Sequence, residues 1–148
     1  MERKEFIKTC GTACMGFSAF GTLFNLQGCS STKIITSPID GENLIVPLSA
    51  FQIIKKNSLK YRPYVVARNE TLRYPICVYR LSQTEFMALL MRCTHQGTEL
   101  QVFGDKLQCP AHGSEFTNNG EVTNGPASSN LRTFPVIVND NQLKISLR

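Results

Sequence analysis

Two short segments, Cys93-Thr94-His95-Gln96-Gly97 and Cys109-Pro110-Ala111-His112-Gly113, constrain this chain more than anything else in it. Each carries one cysteine and one histidine, and both of the chain's 2 histidines are spent here. Two thiolates and two imidazoles can close around a zinc ion. They can also hold an iron–sulfur cluster, with two Cys on one iron and two His on the other. Structural zinc loops usually space the two ligands of a pair by two or more residues. Cys93-x-His95 is tighter, which weighs toward the cluster. Gly97 and Gly113 let the backbone approach the sulfurs and take positive φ, and Pro110 stiffens its loop.

The body around these segments reads as β. Short apolar runs recur from Leu44 onward: Leu44–Val46, Phe51–Ile54, Tyr64–Ala67, Ile76–Leu81, Phe86–Met91, Leu100–Phe103, Leu107–Cys109, Phe134–Val138 and Leu143–Leu147. Turn-forming residues part them, as at Arg68-Asn69-Glu70 and Asn139-Asp140-Asn141. The last run alternates, with Leu143, Ile145 and Leu147 inward and Lys144 and Ser146 outward. No convincing amphipathic helix follows residue 28. Glu85–Met91 has some helical propensity, but it leads straight into the first Cys/His loop and is read as a strand. Strands at this spacing predict an all-β, antiparallel sandwich or barrel. Between the two loops, Leu100–Phe103 and Lys106–Cys109 flank Gly104-Asp105, a Gly-first pair suited to a two-residue hairpin. A short hairpin brings its ends together, so both loops are expected at one tip.

The N-terminus has a different character. Arg3, Lys4 and Lys8 form a basic start, and no charge occurs from Thr9 to Gly28. Small residues then precede Cys29 in Leu26-Gln27-Gly28-Cys29-Ser30. This is signal-peptide architecture over residues 1–28, and its ending resembles a bacterial lipobox with Cys29 as the lipidated residue. Arg3-Lys4-Glu5-Phe6-Ile7-Lys8 resembles the twin-arginine export motif, with Lys4 in place of its second arginine. The competing reading is an uncleaved membrane helix, since the run has about the 20 residues a bilayer needs. Its glycines, serine and threonines make it only moderately apolar. Residues 29–43, rich in Ser, Thr, Pro, Asp and Gly, read as a lipid-anchored linker, with Ile34 and Ile35 available for a first short strand. Residues 44–148 form the domain proper. The protein would be exported and held at the periplasmic face of a bacterial membrane through Cys29. Several acyl chains are needed for firm anchoring.

At 148 residues the chain holds one domain with an ordinary core. Of its 6 cysteines, Cys10, Cys14 and Cys29 lie in the export segment, and Cys93 and Cys109 are candidate ligands. Cys77 is left alone in an apolar run, without an internal disulfide partner, and reads as a core residue. The formal charge is +5. The densest basic stretch, Lys55-Lys56 to Lys60 and Arg62, is broken by Asn57, Ser58 and Leu59. It reads as a solvated loop rather than a nucleic-acid patch.

The two loops and their neighbours closely resemble the Rieske family, whose pattern is Cys-x-His, a spacer, then Cys-x-x-His. The resemblance extends through Cys93-Thr94-His95 and Cys109-Pro110-Ala111-His112-Gly113 to Gly125-Pro126-Ala127, which is similar to the family's proline loop over the cluster. It implies a Rieske-type [2Fe-2S] cofactor in a small cluster-binding subdomain, with a spacer on the short side for the family. Cys93 and Cys109 would bind the buried iron and His95 and His112 the outer one. Some members join the loops by a disulfide; the corresponding positions here are Thr98 and Ala111, which cannot form one. In high-potential members a Ser after His-Gly, and a Tyr two residues later, donate hydrogen bonds to the cluster. Ser114 matches the first and Phe116 replaces the second. Within the range of about −150 to +300 mV for such centres, this implies an intermediate potential. The exposed imidazoles imply proton-coupled electron transfer above neutral pH.

The implied function is electron transfer, as a carrier or small subunit of a membrane-associated or periplasmic oxidoreductase of quinol–cytochrome or arsenite-oxidase-like type. The partner would be a cytochrome, a quinol-oxidising enzyme or a molybdenum subunit. Two alternatives remain: a ferredoxin-type component feeding a separate oxygenase, and a structural zinc-binding lipoprotein. A Rieske oxygenase needs a second iron site with two further histidines, which this chain does not contain. No substrate site and no catalytic residue are evident.

Overall fold

The computed structural model describes residues 32–148. The export segment 1–28 and Cys29 lie outside the described residues. The strands are β1 (Ile34–Thr36), β2 (Ile39–Asp40), β3 (Asn43–Pro47), β4 (Gln52–Lys55), β5 (Ser58–Tyr61), β6 (Tyr64–Arg68), β7 (Ile76–Arg80), β8 (Phe86–Leu90), β9 (Gln101–Phe103), β10 (Lys106–Gln108), β11 (Glu115–Thr117), β12 (Val122–Asn124), β13 (Thr133–Phe134), β14 (Val136–Asn139) and β15 (Gln142–Ser146). The only helical element among the described residues is a 3-10 turn at Leu48–Phe51.

Three sheets carry the fold. The middle one has five strands in the order β1-β6-β7-β8-β13. A second, β14-β15-β3-β2, and a third, β12-β11-β10-β9, have four strands each. Residues 64–67 and 76–79 are buried without interruption, although their side chains alternate between faces. A strand reads as a continuous apolar run when both its faces are covered. Tyr64, Val66, Cys77, Tyr79, Leu89 and Met91 join one core with Leu100, Leu107 and Phe116 of the third sheet. Val65, Ala67, Ile76, Val78 and Ala88 join another with Leu44, Val46, Leu143 and Ile145 of the second sheet. The third sheet is thus a small layer seated on one face of the middle sheet.

The stretch expected to act as a linker contributes to the body. β1 runs parallel to β6, with Ile34 opposite Val66, and β2 pairs with β3. The apolar run Phe134–Val138 is divided between two sheets at Pro135, which has no N–H to continue a ladder. β9 and β10 form the expected hairpin, Phe103 facing Lys106 across Gly104-Asp105. Gly104 has φ +63°, as a turn with a left-handed first residue requires.

Candidate functional site

Both Cys/His loops are closed by the same pair of backbone hydrogen bonds. In the first, the Cys93 N–H donates to the Thr98 carbonyl at 2.8 Å and the Gly97 N–H donates to the Cys93 carbonyl at 2.8 Å. In the second, the Cys109 N–H donates to the Ser114 carbonyl at 2.8 Å and the Gly113 N–H to the Cys109 carbonyl at 3.0 Å. The turns need left-handed residues, supplied by Gly97 at φ +76° and Gly113 at φ +78°. Each loop is flanked by antiparallel pairing. The bridge Arg92–Glu99 closes the first, and β10 against β11 closes the second.

The structure brings the four candidate ligands to one end of the third sheet. Cys93 and Cys109 are buried, at 1% and 3% exposure. His95 and His112 are exposed, and their ring centroids lie 5.0 Å apart. Burial works against the Cys109 thiolate. The backbone N–H groups of His112 and Ala111, with the neighbouring Cys93 and Thr98 side chains, outweigh it and hold the thiol below its usual value. A thiol shifted this way is ready to ligate metal. Among the described residues no three His, Cys, Asp or Glu side chains gather closely enough to hold one ion. The donors form an inner sulfur pair and an outer imidazole pair. A buried pair and an exposed pair are the donors that a two-iron cluster would take, two Cys to one iron and two His to the other.

A third loop holds the other two. Ser114 is fully buried and its Oγ accepts the Ala127 N–H at 3.0 Å. The Thr94 hydroxyl donates to the Ser129 carbonyl at 2.7 Å, and the Asn124 amide donates to the Gly113 carbonyl at 3.3 Å. Pro126, with a cis bond to Gly125, is exposed beside them. Phe116 is fully buried and packs in the core with Leu107 and both cysteines. Cys77 is fully buried in the same core, on β7 rather than in a ligand loop; burial pushes its thiol well above the ordinary range, which suits an inert core residue. The roles of Thr94 and Asn124 are not visible in the sequence, because their partners lie 35 and 11 residues away. A Thr inside the first loop was the one available signal.

Residues 49–135, more than half of the chain, match the family description "Rieske [2Fe-2S] domain". The chain is 25% identical over 162 residues to the cytochrome b6-f complex iron-sulfur subunit of Synechococcus sp. (strain JA-3-3Ab), across 99% of this chain and 87% of that protein. It is 36% identical over 76 residues to the oxygenase component of dicamba O-demethylase from Stenotrophomonas maltophilia. That match takes in 45% of this chain but only 22% of the oxygenase component. Among solved structures, the cyanobacterial plasma membrane Rieske protein PetC3 from Synechocystis PCC 6803 is similar at a TM-score of 0.50 and 28% identity, over 57% of this chain and 86% of that one.

Proposed function

The chain belongs to the Rieske [2Fe-2S] family, and from that premise we propose that Cys93 and Cys109 hold the inner iron of its cluster and His95 and His112 the outer one. The cofactor is a Rieske-type [2Fe-2S] cluster, which supplies a one-electron couple. One observation carries the assignment: a buried sulfur pair sits behind an exposed pair of imidazoles whose rings are 5.0 Å apart. The buried cysteines keep water from the sulfur side, and the exposed histidines form the face through which a partner is reached. The Ser114 Oγ accepts from the Ala127 N–H, which leaves its own proton free, so that it would be a donor to a cluster held by the two loops. Phe116 has no hydroxyl to add, so the potential is intermediate for the family. Protein-film voltammetry measures it, and a value at either extreme of the range contradicts this reading.

The function is electron transfer. We place it in a membrane-associated complex, as the small redox partner of a quinol-oxidising, molybdenum or cytochrome subunit, anchored by lipid on Cys29. The likeness to the cytochrome b6-f complex subunit, over 99% of the chain, supports the membrane-associated complex; the lipid on Cys29 rests on the lipobox-like ending of the export segment. A second reading is a ferredoxin-type donor to a separate oxygenase: the likeness to an oxygenase component is confined to 22% of that protein, so it places a domain of this kind in oxygenase systems without making this chain an oxygenase. Native purification separates them, since the first copurifies with a quinol, molybdenum or cytochrome subunit and the second does not. Equal iron and acid-labile sulfide, lost in Cys93→Ser, is the expected analysis of the isolated chain. Zinc with no sulfide would overturn the proposal.

A further inference from the structure

The hairpin of β4 and β5 is joined to no other sheet. Its cross-strand pair Ile54 and Leu59 is 78% and 52% exposed, and Tyr61 continues the same face. Lys55 and Lys60 lie on the opposite face and Lys56 at the turn. No Asp or Glu occurs between Glu42 and Glu70 to neutralise them. An apolar face backed by flexible lysines is the arrangement of an amphipathic segment lying in a membrane interface.

The placement of the hairpin points the same way. It joins β6 through Arg62 and Pro63, and the Arg80 guanidinium stacks 4.3 Å over Tyr61. Arg80 pairs with Phe86 at one end of β7–β8, while Ile76 pairs with Leu90 at the other, next to the first ligand loop. The hairpin base is therefore about 13 Å of strand from the loop end. The described chain also enters at the hairpin end, where the Thr32 hydroxyl lies 3.2 Å from that of Tyr64. We infer that this hairpin docks on an anionic lipid surface, so that the domain stands with its cluster-binding loops directed away from the bilayer. The inference rests on the membrane-anchored reading, whether the anchor is lipid or helix.

The chain contains no tryptophan, so Leu59→Trp introduces a single fluorophore. The full-length chain is reconstituted into phosphatidylcholine vesicles with and without phosphatidylglycerol. In the anionic vesicles the emission should shift to the blue and be quenched by lipids brominated in their acyl chains. High salt should reverse both effects. Each Lys→Gln change at 55, 56 or 60 should lower the docked-to-free ratio about fivefold. Ile54→Trp repeats the test at a second site, and visible absorbance of the cluster reports that each variant is folded. Flotation with the vesicles but emission indifferent to lipid charge and bromine overturns docking alone. Failure to float overturns docking and anchoring together. A blue shift that depends on protein concentration and not on lipid assigns the face to a second copy of the chain and also overturns the inference.

Discussion

The two ligand loops share a backbone plan and even a sequence offset: Gly four residues after the Cys, Thr or Ser after five, Glu after six. They differ in what surrounds them. At Gly97 an added Cβ would lie 3.3 Å from Arg92 Nε and 3.4 Å from the Tyr74 hydroxyl, whereas at Gly113 nothing lies within 4 Å. The first loop is tied to the third loop by an exposed hydroxyl, that of Thr94, and the second by the buried Ser114. Their glutamates also turn different ways. Glu99 pairs with Arg68 of the middle sheet, and Glu115 pairs with Lys106 and Gln108 of its own sheet. One turn design thus serves twice, crowded and wedged against the body in the first case, open to water but pinned by a buried hydroxyl in the second.

The strongest way to break the comparison is at the sulfurs, where the loops should behave alike. Cys93→Ser and Cys109→Ser should each abolish the cluster, read as loss of visible absorbance and of acid-labile sulfide. A variant that kept both would remove that residue from the ligand set. The glycines should then separate the loops. A side chain at positive φ costs about 1–2 kcal/mol, so both Gly97→Ala and Gly113→Ala destabilise. Gly97→Ala should cost more because the Arg92 side chain, 3.3 Å from the added Cβ, must also give way. Chemical denaturation of the holoprotein checks the order, and equal costs would show that the crowding at Gly97 is not felt.

The hydroxyls sharpen the same contrast at lower amplitude. Ser114→Ala leaves the buried Ala127 N–H without its acceptor, an expected loss of about 1–3 kcal/mol. Thr94→Ala leaves the Ser129 carbonyl facing water, an expected change within about 0.5 kcal/mol. Paired thermal unfolding of the two variants measures the difference.

This asymmetry explains what could be read in the sequence. The four candidate ligands, their glycines and most of the buried strands were legible, because each carries a local mark: a spacing, a positive-φ residue or an apolar run. β5, β11 and β12 were not legible. Ser58–Tyr61 is wholly exposed, and Glu115–Thr117 and Val122–Asn124 bury only Phe116, so no apolar run announces them. The parallel pairing of β1 with β6 joins residues 32 apart and has no local signature. The export segment was legible as a composition, and its structure lies outside the described residues. In the site, Ser114 was found by resemblance, but its acceptor role toward Ala127 depends on a loop 13 residues on. Sequence shows which atoms can bond, and the fold decides which atoms they meet.

The smallest expected effect tests the glutamates. Hydrogen bonds from Lys106, then from Gln108, hold the Glu115 carboxyl below its ordinary value. A carboxyl lowered by folding stabilises the native state above its unfolded pKa, and that contribution is lost as pH falls through the lowered folded value. Acidification from neutral pH should therefore lower the melting temperature of the parent protein more than that of Glu115→Gln, whose amide does not titrate. Because the pair is near the surface, the gap should be small and should narrow further in high salt, as screened charges require. Melting curves for the two proteins, taken in low and high salt across the acid range, check this. Parallel curves would show that Lys106 and Gln108 do not hold Glu115 in solution.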